Sequence, residues 1–183
     1  MADTTQAKVH VRRAMLAYPE LHEPGTRDDE GRIKPNKVSL VIDLDDAYYP
    51  QMAAMLDKAV AEASEAEFGD PEVEYDKVPV QQGADLKGKD GKPYASMQGK
   101  LVIAAENIQM PGLYDGDTHV GPDPEYWYAG AEVYAILQFV ARKHNGKKYL
   151  NARLSGLKFR AHGTPLEKGA SSQAATPDEF MED

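Results

Sequence analysis

The chain has 183 residues, no cysteine and a formal net charge of −9. Its content of 42% hydrophobic and 28% charged residues is ordinary for a soluble globular domain. The lack of cysteine excludes disulfides and thiolate chemistry, and neither a signal peptide nor a run of about 20 apolar residues is present. We therefore expect a soluble, intracellular protein with one principal domain and tails.

The first part of the chain predicts two strands joined by a polar loop. Residues 8–16 alternate apolar and polar side chains, and residues 20–34 are polar and contain several glycine and proline residues. Residues 36–44 predict the second strand. Its apolar face consists of Val38, Leu40, Ile42 and Leu44.

A helix is predicted after the second strand. Asp45 or Asp46 is the expected N-cap, and Gly69 is expected to end the helix. Apolar residues recur between these positions at helical spacing, which predicts one buried stripe. The stripe consists of Met52, Met55, Leu56, Ala59, Val60 and Ala63.

Loops and one strand are predicted between the helix and the last third of the chain. Residues 70–97 are rich in Asp, Gly, Pro and Lys, and loops of this kind often carry binding residues. The basic part of this loop contains Lys87, Lys89, Lys92 and Tyr94. Residues 100–105 predict a third strand. The irregular segment that follows contains Tyr114, Tyr126, Trp127 and Tyr128.

A long β-hairpin is the most clearly predicted element. Two alternating runs, residues 132–142 and 149–154, flank Asn145 and Gly146, a dipeptide that favours the positive φ angles of a type I′ turn. With this dipeptide at the tip, the register gives one wholly apolar face. On that face Ala141 lies opposite Leu150, Phe139 opposite Ala152, and Leu137 opposite Leu154.

The opposite face of the hairpin carries cations, amides and one aromatic ring. The register places Arg142 opposite Tyr149 and Gln138 opposite Arg153. A bulge is expected at Gly156. Further cations lie at the turn and beyond the bulge, namely Lys143, Lys147, Lys148, Lys158 and Arg160.

This polar face has what binding of single-stranded DNA requires. Cations can follow the phosphates, and bases stack on flat side chains with a gain of roughly 1–3 kcal/mol per base. We expect the hairpin and the basic loop to supply the cations, and Tyr149, Tyr94 and Trp127 to supply the rings. An ordinary solvated hairpin, with Trp127 in the core, is the alternative interpretation.

Charge is distributed unevenly along the chain. Residues 133–169 contain eight Lys or Arg and one carboxylate, whereas residues 176–183 contain four carboxylates and no base. A basic module therefore lies within an acidic chain. We interpret the acidic end as a docking peptide for partner proteins. Its residues are Asp178, Glu179, Phe180, Glu182 and Asp183.

The sequence contains no recognisable catalytic or cofactor-binding motif, which predicts a protein that is not an enzyme and needs neither cofactor nor metal. One alternative is a divalent-metal nuclease that uses Asp43, Asp45 and Asp46. A strand end followed by a helix cap also explains these carboxylates and is favoured. A second alternative is a structural or assembly protein that uses the hairpin as a protein interface.

About five strands, one helix and long loops predict a mainly β fold. An OB-fold, a five-stranded Greek-key barrel, fits this number of strands, although other barrels fit it as well. Residues 1–168 form the expected domain. Residues 169–183 are the expected flexible linker and disordered acidic tail.

The order of short motifs along the chain resembles a known family. The motifs are Val11-Arg12 followed by Tyr18, the strand from Val38 to Ile42, an alanine-rich helix, the Lys-Asp-Gly-Lys-Pro-Tyr loop, Tyr128-Ala129-Gly130 before the hairpin, Leu154 and Leu157 followed by Gly163-Thr164-Pro165-Leu166, and an acidic end with Phe180. This order is similar to that of phage-encoded single-stranded-DNA-binding proteins, long known only as a domain of unknown function.

The resemblance implies an OB-fold that coats single-stranded DNA without sequence preference during phage DNA replication, recombination or repair, in the cytoplasm of the bacterial host. It also implies that the acidic tail recruits other replication proteins. Because Phe180 is followed by Met181, Glu182 and Asp183, a terminal phenylalanine that inserts into a partner is not implied.

Overall fold

A computed structural model describes residues 7–164. The elements are β1 (Lys8–Glu20), β2 (Asn36–Asp43), α1 (Tyr49–Phe68), β3 (Val80–Gln82), β4 (Lys100–Asn107), β5 (Gly112–Asp115), β6 (Thr118–His119), β7 (Glu132–His144) and β8 (Lys147–Ala161). The predicted mainly β class with one helix is confirmed. Three short strands, β3, β5 and β6, lie in segments that were expected to be loops. The expected domain boundary, linker and acidic tail lie outside the described residues.

The strands form one sheet in the order β3-β4-β2-β1-β7-β8-β5-β6. β1 pairs antiparallel with β2 and β7, β4 with β2, and β8 with β7. β4 also pairs in parallel with β8, where Ala105 lies beside Ala152 and Glu106 beside Arg153. The order of paired strands therefore leads from β1 through β2, β4, β8 and β7 back to β1.

Apolar side chains on the inner faces of the five long strands form the core. Alternation places every second side chain of a strand on the same face, so each strand contributes two or more core residues. Fully buried examples are Val9, Leu16, Leu40, Ile103, Leu137 and Leu154. Each such side chain contributes roughly 1.5–3 kcal/mol through burial. The helix contacts β1 and β7 and adds Met52 and Ala59 to the core, as the predicted stripe requires.

The predicted register of the hairpin is confirmed along its whole predicted length. Asn145 and Gly146 have φ angles of 51° and 78°, as the predicted turn requires. The apolar face is buried, and the polar face points away from the core. Ile136 pairs with Gly156 whereas Leu137 pairs with Leu154, so the bulge expected at Gly156 is present.

The helix begins later than predicted. Its N-cap is Tyr48, whose N–H donates to Asp46 Oδ1 at 2.8 Å, and the N–H of Asp45 donates to Asp43 Oδ1 at 3.0 Å. These carboxylates stabilise the turn before the helix, so the prediction of Asp45 or Asp46 as N-cap is wrong. Gly69 ends the helix with a φ of 70°, as predicted. Within residues 7–164, no helix has the length and apolar character needed to cross a membrane.

Candidate nucleic-acid interface

An open groove of about 1010 Å³ lies on the outer face of the sheet. Its floor consists mainly of short side chains on β1, β2 and β4. They are Ala17, Ser39, Val41, Val102 and Ala104. Met15 of β1 also lines the floor, beside Val41. Because the other floor side chains are short, a flat group can approach most of this surface closely.

One wall of the groove is the segment 76–82, which bridges β8 and β4. The N–H of Leu150 donates to the carbonyl oxygen of Lys77 at 3.0 Å, and the N–H of Ala104 donates to that of Pro79 at 2.9 Å. The wall is therefore attached to both strands by backbone hydrogen bonds. It brings Lys77 to the groove, which Lys37 of β2 also lines.

The polar face of the hairpin adjoins the groove along β8. Asn151 lines the groove, and Tyr149 and Arg153 lie on the same face of the strand, two residues away on either side. Arg142 and Gln138 are their partners on β7, one strand further out. Both arginines are exposed, and neither forms an ion pair with another described residue. The predicted cluster therefore forms one rim of the groove.

The three lysines at the hairpin tip have different surroundings. Lys143 and Lys147 are exposed, whereas Lys148 is half-buried. The Nζ atom of Lys148 lies 4.9 Å from the centre of the Phe68 ring, within cation–π range. The N–H of Lys148 donates to Asp76 Oδ2 at 2.7 Å. Lys148 therefore attaches the tip to the end of the helix, while the other two lysines face solvent.

Two loops, one of which adjoins the groove, form seven-residue arms that share a pattern of backbone hydrogen bonds. We name residues 27–33 the acidic arm and residues 87–93 the basic arm. In each arm the first and last residues form a β-bridge, and the N–H of the second donates to the carbonyl oxygen of the sixth. The fifth residue is a glycine with positive φ, 79° at Gly31 and 76° at Gly91.

The basic arm presents unpaired cations. Lys87, Lys89 and Lys92 are all exposed, and none forms an ion pair within the part of the chain that the structure describes. Leu86 and Tyr94, at the base of the arm, line the groove. The basic arm therefore places its positive charge next to the groove.

The acidic arm neutralises much of its charge internally. Arg32 lies 3.0 Å from Asp28 and 2.8 Å from Glu30, and Arg27 donates to the carbonyl oxygen of Gly31 at 2.6 Å. The N–H of Arg32 donates to Asp28, which lowers the pKa of that carboxyl below its usual value. Its cations are therefore engaged within the arm.

The far end of the hairpin contains the two remaining predicted cations, Lys158 and Arg160. Arg160 Nε lies 3.1 Å from Glu132 Oε1, and Arg160 Nη1 donates to the carbonyl oxygen of Arg12 at 2.6 Å. Glu132 also pairs with Arg13 at 3.2 Å. Lys158 and Arg160 lie five and seven residues beyond Arg153 on β8, which is roughly 17 and 23 Å along the strand at about 3.3 Å per residue. The structure therefore gives no support to Lys158 and Arg160 as members of the groove interface.

Trp127 is a core residue. Only 4% of its surface is exposed, and Nε1 donates to the carbonyl oxygen of Gly121 at 2.7 Å. The indole N–H is thus satisfied inside the protein, and a base cannot reach the ring. The expectation that Trp127 stacks on DNA is wrong in this structure.

The carboxylates considered for a nuclease site have structural roles. Lys100 Nζ donates to Asp43 Oδ2 at 3.0 Å. The N–H of Asp45 and the Lys100 ammonium lower the pKa of Asp43 below its usual value. Within residues 7–164, no group of three or more His, Cys, Asp or Glu side chains is arranged to hold a metal ion.

Several residues of the groove were not anticipated from the sequence. They are Tyr18, Glu20, Lys37, Lys77 and Glu106. Lys37 shares the outward face of β2 with Ser39, so the strand alternation contained a usable signal for it. Lys77 lies in a segment without periodicity, and only the fold brings it to the groove. Glu106 lies between Lys37 and Arg153 in the cross-strand register, so the groove contains both signs of charge.

These features define the class of protein as a mainly β protein with a cation-rimmed groove suited to a nucleic-acid strand. Residues 7–183 match the family described as Enterobacter phage Enc34, ssDNA-binding protein. The chain belongs to this family, which confirms the resemblance. The family binds single-stranded DNA and is not a family of enzymes, so the nuclease alternative is wrong.

Solved structures are similar in fold. The single-stranded DNA-binding protein of bacteriophage Enc34 has a TM-score of 0.71 at 16% identity, covering 92% of this chain and 88% of that chain. The same phage protein in complex with ssDNA has a TM-score of 0.72 at 17% identity, covering 89% and 91%. The protein gp2.5 of bacteriophage T7, also a single-stranded-DNA-binding protein, has a TM-score of 0.51 at 13% identity, covering 96% and 100%. No curated protein matches the chain.

Proposed function

We propose that this protein binds single-stranded DNA without sequence specificity in the groove on the outer face of β2 and β4. The observation that carries the proposal is the composition of the groove. Mostly short floor side chains lie beside Lys37 and Lys77, which line the groove together with Glu20 and Glu106, and Arg153 lies on the rim. Membership of a single-stranded-DNA-binding family supports the same conclusion.

We further propose that the fold is a five-stranded OB barrel. The paired strands β1, β2, β4, β8 and β7 would be its five strands, with the parallel β4–β8 pair completing the ring. OB-folds bind oligonucleotides across their second and third strands and between two flanking loops. In this chain those strands are β2 and β4, and the loops are residues 21–35 and the hairpin tip. The groove lies on these two strands.

The contacts divide into phosphate and base contacts. Exposed cations on the rim, the tip and the basic arm would follow the phosphates, because they have no competing ion pair among the described residues. These cations are Arg142, Arg153, Lys143, Lys147, Lys87, Lys89 and Lys92. Tyr149 and Tyr94 would stack on bases, and Gln138 would contribute hydrogen bonds.

The acidic tail has two proposed roles. It would recruit replication or recombination proteins, and it would compete with DNA for the cations of the groove rim. The four carboxylates of residues 176–183 carry the charge needed for that competition. The cellular process would be phage DNA replication, recombination or repair in the host cytoplasm, as membership of the phage family suggests.

A fluorescence titration tests the proposed function. Oligo-dT and a matched duplex are titrated with the protein at several salt concentrations. We expect oligo-dT to bind more tightly than the duplex, with log affinity falling linearly with log salt by about 0.7 per neutralised phosphate. If neither nucleic acid binds, the DNA-binding proposal is wrong and a structural or assembly role becomes the better explanation.

A further inference from the structure

Tyr18 has the most unusual backbone among the residues of the groove. Its φ angle is 46°, and Pro19 follows it. A bulky residue at positive φ is a rare and strained conformation, and a following proline restricts its backbone further. Such strain persists only where the surrounding structure imposes it, and it is concentrated at functional sites.

A β-bulge imposes this conformation. Ala17 pairs with Ser39 and Glu20 pairs with Lys37, so β1 contains one residue more than β2 between these pairs. Bulges of this kind redirect a side chain out of the alternating pattern of the strand. Tyr18 is consequently 63% exposed, although it lines the groove.

Within the described residues, the side chain of Tyr18 makes no specific contact that would explain its orientation. Neither the hydroxyl nor the ring of Tyr18 has a hydrogen bond, aromatic or cation–π partner among residues 7–164. Tyr114 and Tyr48, the other two exposed tyrosines, each contact another side chain, His119 and Arg12 respectively. The ring of Tyr18 therefore remains available to a ligand.

We propose that Tyr18 is a base-stacking platform, held over the groove by the strained bulge. This inference rests on the proposed function and adds a specific position to it. The ring would stack on a base whose phosphates are followed by the cations of the groove, including Lys37 on the neighbouring strand. The strain would be maintained for binding and would not contribute to folding.

The test measures stability and DNA affinity on the same variants. Tyr18→Asn should unfold at an equal or higher urea concentration, because asparagine tolerates positive φ, while oligo-dT affinity falls roughly 5- to 100-fold. Tyr18→Phe retains the ring and should bind within about twofold of wild type. Tyr114→Ala removes an exposed tyrosine outside the groove and should leave affinity unchanged.

A second measurement uses the wild-type protein. Nitration of tyrosine with tetranitromethane, mapped on peptides, should be slowed at Tyr18 by oligo-dT and unchanged at Tyr114. If wild type binds oligo-dT but Tyr18→Asn binds equally well, or Tyr18 is not protected, the inference is wrong and the proposed function stands. If wild type does not bind, both are wrong.

Discussion

The two ends of the outer face of the β7–β8 hairpin carry similar residues but differ in their electrostatic surroundings. Near the tip, Arg142 and Arg153 are exposed and have no ion pair among the described residues, and Tyr149 lies beside the groove wall. At the far end, Arg160 is bound to Glu132 and to the carbonyl oxygen of Arg12. Cations on a strand face therefore indicate an interface only where no carboxylate of the protein already pairs with them.

The same distinction holds for the two arms. Their backbones are alike, but the acidic arm pairs its arginines internally, whereas the basic arm leaves its lysines exposed. The shared backbone geometry therefore does not determine binding, and the balance of charge within the loop decides whether it can bind phosphate. The following variants test this distinction in order of expected effect.

Removal of the side chains near the hairpin tip should have the largest effect on oligo-dT affinity. In the combined variant Arg142→Gln, Tyr149→Leu and Arg153→Gln, two cations and one stacking ring are lost. We expect oligo-dT affinity to fall by at least roughly 100-fold at low salt, since each of the three lost contacts is worth about 1 kcal/mol or more. Fluorescence titration measures the change, and circular dichroism checks the fold. An unchanged affinity would remove the hairpin from the interface.

Removal of the lysines of the basic arm should have the next largest effect on oligo-dT binding. Replacing Lys87, Lys89 and Lys92 by Gln should make the dependence of log affinity on log salt less steep by about 2, at about 0.7 per phosphate contact. The matched control is Arg27→Gln with Arg32→Gln in the acidic arm, which should leave this slope unchanged because both arginines bind within the arm. Equal slopes in the two variants would contradict the distinction between the arms.

Deletion of residues 176–183 should have a smaller effect of opposite sign. If the tail competes for the groove cations, its removal should tighten oligo-dT binding several-fold at low salt, and the gain should vanish at high salt because of screening. The control is a chain in which Asp178, Glu179, Glu182 and Asp183 are replaced by the amides, which should behave like the deletion. The same affinity with and without the tail would exclude autoinhibition.

A substitution at the far end of the hairpin should have almost no effect on oligo-dT binding. Arg160→Gln should leave oligo-dT affinity within about twofold of wild type, because the side chain lies away from the groove. It should lower the free energy of unfolding by about 1 kcal/mol, through loss of the pair with Glu132 and the bond to Arg12. Urea unfolding measures the free energy of unfolding, and an oligo-dT titration of the same sample measures the affinity. A large loss of affinity would show that the DNA path extends along the hairpin.

The hairpin could be predicted from the sequence because its determinants are local. The Asn145-Gly146 turn and the alternation on both sides specify one register, and the structure has that register. The buried stripe and the end of the helix were predictable for the same reason. The start of the helix was not, because Asp45 and Asp46 can serve equally in a turn or as a cap, and neighbouring groups decide between these roles.

The groove could not be predicted from local patterns. Its wall, residues 76–82, lacks periodicity and is attached to β4 and β8 by hydrogen bonds between residues far apart in the sequence. The position of Trp127 was equally ambiguous, since an aromatic ring beside a strand suits either a core or a stacking surface. Its hydrogen bond to Gly121, within a loop, places it in the core.

Photo-crosslinking of the wild-type protein to oligo-dT that contains 5-iodouracil would locate the bound strand most directly. Crosslinked peptides are identified by mass spectrometry. We predict crosslinks in the peptides that contain Tyr94, which lines the groove, and Tyr149, which lies on its rim. Crosslinks confined to Tyr114, Tyr134 or His162, with none at the groove, would contradict the proposed path of the DNA.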